Sequence, residues 1–206
     1  MPRSEEANIQ IKDDRQKQIL CSALKVFIQK GFAAAKMSDI AAEAGVSYGL
    51  MYHYFQSKDE IYAELVRGAI ESSRQVLEQV QAEKAEPIDK MRTLIDRIFA
   101  SVGGHESAGY YFVLMMGAMT SGSYPSLALE HPHGPGRPFE MLVHIIEDGQ
   151  GKGQIAEGSP AELATTFFSA ILGLASLRVS GTIQTMPDPE LLMRLFAPAL
   201  QAKTER

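Results

Sequence analysis

The segment Met37–Lys58, MSDIAAEAGVSYGLMYHYFQSK, constrains this chain more than any other. Two short apolar-periodic stretches flank one glycine. Ile40, Ala41 and Ala44 form the apolar side of the first, at helical offsets. Gly45 follows at the point where a chain leaves a helix through positive φ. Val46 plugs the bend. Ser47 stands where a hydroxyl can accept from the amide of Gly49 or Leu50 and start a second helix. That helix is predicted over Tyr48–Tyr54. At about 100° per residue, Tyr48, Gly49, Tyr52 and His53 share an arc of roughly 140°. Met51, Tyr54 and Phe55 point the other way, with Leu50 at the border. The pattern is a helix-turn-helix with one packing face and one face of hydroxyls, an imidazole and a bare glycine. Such a face suits a major groove. Gly49 permits close backbone approach, and Tyr52, His53 and Lys58 suit phosphate oxygens.

The set of spacings extends further. Gly31-Phe32, Asp39-Ile40-Ala41, Gly45-Val46-Ser47, Tyr52-His53-Tyr54-Phe55 and Ser57-Lys58-Asp59 occur in that order. In this the chain resembles the TetR family of bacterial transcriptional regulators, over roughly its first third. It departs from the family pattern at Ala35-Lys36-Met37, where the family usually places threonine or serine. The departure removes a hydroxyl cap and a phosphate contact. Lys36 as a point charge, or Ser38 as a donor, stands in its place. Leu50 occupies a site where the family often has threonine. It can touch a thymine methyl but cannot hydrogen-bond a base. The expected DNA-binding set is Lys36, Met37, Ser38, Ser47, Tyr48, Gly49, Leu50, Tyr52, His53 and Lys58.

Charge fits this division of labour. The net charge of −5 looks wrong for a DNA binder. Residues 1–58, however, hold eight Lys/Arg against six Asp/Glu, and the remainder holds 12 against 19. The basic excess sits with the helix-turn-helix. The one cysteine, Cys21, excludes an internal disulfide framework. No apolar signal core opens the chain and no apolar run is expected to cross a membrane, so a cytoplasmic protein is expected.

The remaining pattern is helical throughout, with no strand signal and no repeat. A polar, mobile arm is expected over about the first ten residues; Arg3 and Lys12 could reach the DNA backbone, but a solvated tail is the simpler reading. Ile19, Ala23, Val26 and Phe27 recur at helical spacing from about Asp13 to Lys30. Ser57 and Glu60 form a capping box that opens a long helix, to about Glu83. Pro87 suits the first turn of the next, whose stripe is Met91, Leu94, Ile95, Ile98 and Phe99. The segment from Glu106 to about Ser121 is apolar nearly all round and is expected to be central. Residues 121–138 read as a long loop with a turn of helix near Leu127. His131 and His133 in it are a conceivable metal pair, but with no further ligands nearby they read as loop histidines, and no metal or cofactor is expected. Helices follow over Phe139–Gly149, from Ser159 to about Ser180, and from Asp188 onward.

The predicted architecture is all-α: a helix-turn-helix domain over residues 10–60, then a helical ligand-binding and dimerisation domain over 61–206. The resemblance implies dimerisation through the last two long helices, about 160–180 and 188–202. A dimer places two recognition helices about 34 Å apart on a near-palindromic operator. It also implies a small apolar or aromatic effector. Candidate walls are Phe99, Tyr110, Tyr111, Met115, Met119, His144, Phe167, Phe168 and Leu172, although for any one of them plain core is the simpler reading. The expected function is a ligand-released repressor; an activator or a ligand-independent regulator is the alternative. No nucleophile-base set, metal spacing or phosphate loop points to an enzyme.

Overall fold

The computed structural model describes residues 5–104, 106–120 and 138–198, with side chains from residue 14 onward, 106 and 107 excepted. Among these residues the chain is all α. The helices are α1 (Glu5–Lys30), α2 (Met37–Glu43), α3 (Tyr48–Tyr54), α4 (Lys58–Ala82), α5 (Pro87–Gly104), α6 (Glu106–Thr120), α7 (Pro138–Gly151), α8 (Pro160–Val179) and α9 (Pro189–Met193). Arg3, the side chain of Lys12, the turn expected near Leu127 and the pair His131/His133 lie outside the described residues.

Local chemistry sets most helix boundaries. Ser47 Oγ accepts from Leu50 N at 3.2 Å, as expected, and starts α3. Ser57 Oγ accepts from Glu60 N at 3.1 Å, while the Glu60 carboxylate takes the amide of Gln56 at 2.7 Å. The reciprocal half of the capping box is thus displaced by one residue. Ser159 and Asp188 cap α8 and α9 through Glu162 N and Glu190 N, each with proline at the first helical position. Gly31 and Gly45 leave their helices at φ 75° and 62°.

Two boundaries differ from the sequence reading. Helix α1 begins at Glu5, eight residues before the expected start near Asp13. Residues 5–12 are mostly good helix formers, with glutamates in the first turn, so nothing stops the helix there. Helix α9 is only five residues long, and Arg194–Phe196 are turn rather than a continuation towards residue 202. Pro198 explains the stop: its ring has no N–H to give the carbonyl of Arg194 and collides with it in a helix.

The chain divides into two compact units, Met1–Ala69 with Tyr110–Glu130, and Ile70–Gly109 with His131–Arg206. This is a different partition from a break at residue 60. The first unit takes in the start of α4 and most of α6. Its core is Ile19, Ala23, Leu24, Val26 and Phe27 of α1 packed with Ile40, Ala41, Ala44, Met51, Phe55, Ile61 and Leu65. Tyr62 joins α4 to α6: its ring lies 5.7 Å from Phe27 and 4.7 Å from Phe32, and its hydroxyl donates to Leu114 O at 3.3 Å. Gly117, one turn on, leaves the space this hydroxyl needs; a Cβ there stands 3.4 Å from it. Leu114, Met115 and Ala118 of α6 are buried, but Met119 is half exposed. Helix α6 is therefore less central than its composition suggests.

In the second unit α5 packs against α7, α8 and α9, and α7 against α8. Met91, Leu94, Ile95, Met141, Leu142, Ile145, Ile146, Phe167, Ile171 and Phe196 fill the centre. Ile155 plugs the α7–α8 turn against Gly149 and Pro87. By length and composition α8 is long and apolar enough to cross a membrane, which corrects the sequence expectation.

Candidate nucleic-acid interface

Helix α3 is fixed on one side and open on the other. Met51 and Phe55 are buried, and α3 packs against α2. Tyr48 is 55% exposed and Leu50 37% exposed, and Gly49 and His53 are also open. Tyr52 is half-buried. The Tyr48 and Tyr52 hydroxyls meet at 3.0 Å, with their rings 4.9 Å apart edge to face. This hydrogen bond, then burial, pushes the Tyr52 phenol above its usual range. The Tyr52 phenol thus stays protonated near neutral pH, and one hydroxyl hydrogen of the pair is left to donate to an anion. A Cβ on Gly49 meets nothing within 4 Å, so the absent side chain leaves open space on the outer face.

The approach to α2 is built differently from the sequence expectation of a phosphate-binding turn. Lys36 and Ser38 are exposed, but Met37 is buried and belongs to the packing of α2. Helical phase decides this, because Met37 shares a face with Ile40, Ala41 and Ala44. The missing hydroxyl cap is replaced from inside the helix: Asp39 Oδ2 accepts from Lys36 N at 3.0 Å, and Oδ1 pairs with Lys30 at 2.9 Å. The Lys30 ammonium, followed by the Lys36 amide, holds the Asp39 carboxyl below its ordinary value of 3.8.

Lys58 does not extend into solvent as a phosphate contact. Its Nζ donates to Phe32 O, Ala33 O and Ala35 O at 2.8, 3.1 and 3.1 Å, which takes up all three ammonium donors. The same Nζ sits 4.7 Å from the Phe32 ring centre. Lys58 thus clamps the turn between α1 and α2 to the start of α4.

The expected effector walls divide between the two units. In the first, Tyr110 and Tyr111 are half-buried, Met115 is buried and Met119 is half exposed. Burial, with Cys21 nearby, pushes the Tyr111 phenol up. In the second, Phe99 and Phe167 are buried, and Phe168 and Leu172 half-buried. His144 is not an interior polar group: its side chain is 72% exposed and pairs with Glu147 at 3.1 Å. It lies opposite the buried stripe of α7. The second unit also carries an open groove of about 440 Å³ between α5, α8 and α9. Phe99, Ala170, Gly173, Leu174, Leu177, Leu191 and Leu195 are among its lining residues, and only Phe99 was among the expected walls. Among the described residues no group of His, Cys, Asp and Glu is placed to hold a metal ion.

A sequence profile described as "Bacterial regulatory proteins, tetR family" matches residues 19–65, the stretch from mid-α1 through α2 and α3 into α4. Over this stretch the chain carries the TetR-family helix-turn-helix segment. Among curated relatives it is 29% identical over 102 residues to the HTH-type transcriptional activator FasR of Mycolicibacterium smegmatis, covering 50% of this chain and 46% of that protein. It is 28% identical over 95 residues to the HTH-type transcriptional repressor KstR2 of Mycobacterium tuberculosis, covering 46% and 48%. The alignments thus span about half the length of these relatives. A TetR-like transcriptional regulator from Rhodococcus sp. RHA1 shares the fold over nearly the whole molecule, with TM-score 0.69, 23% identity and 95% coverage of both chains.

Proposed function

We propose that this TetR-family chain is a homodimeric transcriptional regulator, most simply a repressor that occupies a near-palindromic operator and leaves it when a small apolar or aromatic effector binds. The observation that carries the reading is α3, which is anchored by Met51 and capped by Ser47 yet offers Tyr48, Gly49, Leu50 and His53 to solvent. Tyr48, Tyr52 and His53, with Ser38 and Lys36 from the α2 turn and Ser47, are assigned to the DNA backbone and groove edge. Lys58 acts behind them by holding the turn. Dimerisation is assigned to α8 and the α9 region, because Leu177, Leu191 and Leu195 are 42%, 54% and 46% exposed along one groove. A paired helix face in water covers such a surface.

The effector is assigned to the apolar side chains of the second unit around Phe167 and Phe168, with α4 carrying the change to α3. A coupling of about 1–3 kcal/mol weakens DNA binding some 5- to 150-fold. Activation is a second reading, favoured by the relative named an activator. Fluorescence anisotropy of the full chain on duplexes from its own upstream DNA tests the reading. Specific binding that drops at least tenfold in Tyr52→Ala, with an unchanged helical circular dichroism spectrum, supports it. Wild-type binding no stronger to any upstream duplex than to random DNA defeats it. Reporter expression with the gene deleted then separates repression from activation.

A further inference from the structure

Helix α3, YGLMYHY, contains no Arg, Lys, Asn, Gln, Asp or Glu. Those are the side chains that read guanine, adenine and cytosine by hydrogen bonds in the major groove. Its only polar groups are three phenols and one imidazole. Two of the phenols, Tyr48 and Tyr52, hydrogen-bond each other at 3.0 Å. The large aliphatic side chain left in the open is Leu50, at 37% exposure. It sits in the first turn, the part of a recognition helix that approaches base edges. Its backbone is fixed there by Ser47 Oγ. Gly49 beside it has no Cβ and nothing within 4 Å of where one would stand, so the groove wall can come close at that point.

From this we infer that Leu50 is a specificity-determining residue that reads the C5-methyl group of a thymine in each operator half-site. The inference rests on the DNA-reading role proposed for α3. An exposed leucine in water gains nothing on that surface. Against a thymine methyl it loses apolar area to a matched apolar group, and against the bare C5 edge of cytosine it does not. Specificity at this position then comes from a methyl contact rather than a base hydrogen bond.

The test uses the full chain and duplexes selected by it from a randomised library. Each half-site thymine is replaced singly by deoxyuridine, which removes the methyl and leaves every base hydrogen bond. The expected result is one position per half-site where the loss weakens wild-type binding about threefold to tenfold, in line with burial of one methyl group. In Leu50→Ala the same replacement has no effect at that position, while the variant keeps its helical spectrum and still binds the selected duplex, though more weakly. Two results overturn the inference: a wild-type protein indifferent to every deoxyuridine, or a sensitivity of equal size in Leu50→Ala. Either can occur with DNA binding intact. Failure to select any duplex instead overturns the DNA-reading role itself.

Discussion

At the scale of single residues, two glycines in helices have opposite meanings. Gly49 faces open space, so Gly49→Ala is expected to raise stability by up to about 1 kcal/mol, the usual gain of alanine in a helix. DNA affinity is expected to fall several-fold in the same variant, because a methyl stands between backbone and groove. Thermal denaturation and anisotropy measure the two effects separately. Gly149 is closed in: a Cβ there falls 2.4 and 2.6 Å from Ile155 side-chain carbons and 3.1 Å from Pro87 Cβ. Ile155 is buried and cannot step aside, so Gly149→Ala is expected to cost about 1–3 kcal/mol despite its better helix propensity. Lys58 separates two roles in one variant. Lys58→Met keeps the stem over Phe32 but leaves three carbonyls without their donor, and a loss of about 1–3 kcal/mol is expected in urea unfolding. The slope of log K against log salt is expected to stay as in wild type. A direct phosphate contact instead lowers that slope by about 0.9 with little change in stability.

At the scale of elements, the starts of α3, α4, α8 and α9 were legible because a serine or aspartate cap acts within three residues. The buried stripes of α1, α5 and α7 were legible from periodicity for the same local reason. What stayed hidden depends on distant partners. Lys58 reaches carbonyls 23 to 26 residues away, and Tyr62 one 52 residues away. No local pattern announces such bonds, so a phosphate-facing lysine and a domain break near residue 60 were reasonable readings that the contacts replaced. Asp39 belongs to this scale, since it ties α1 to the start of α2. Its carboxyl is depressed in the folded chain, so its contribution is present above the ordinary value of 3.8 and fades as pH falls below it. Asp39→Asn is therefore expected to be less stable than wild type at pH 7, with the gap closing once the pH drops below that value. Denaturant midpoints measured across that range check the sign; a gap that widens in acid contradicts it.

At the scale of the whole molecule, the proposed dimer is tested on the exposed leucines of the second unit. Leu191→Glu places a charge on a side chain already 54% exposed, so the fold of the single chain is expected to survive. The proposed dimer is expected to dissociate at least tenfold more readily, as read by sedimentation velocity, and half-site cooperativity on DNA to vanish with it. The bond from Tyr62 to Leu114 has a separate consequence for anyone recombining this chain. A chimaera cut after residue 60, grafting the DNA reader onto a foreign sensor, leaves both Tyr62 and the α6 segment behind. The transplanted piece then arrives with Phe27 and Phe32 stripped of the ring that covers them. A seam that takes α6 along with the reader keeps that aromatic lid in place.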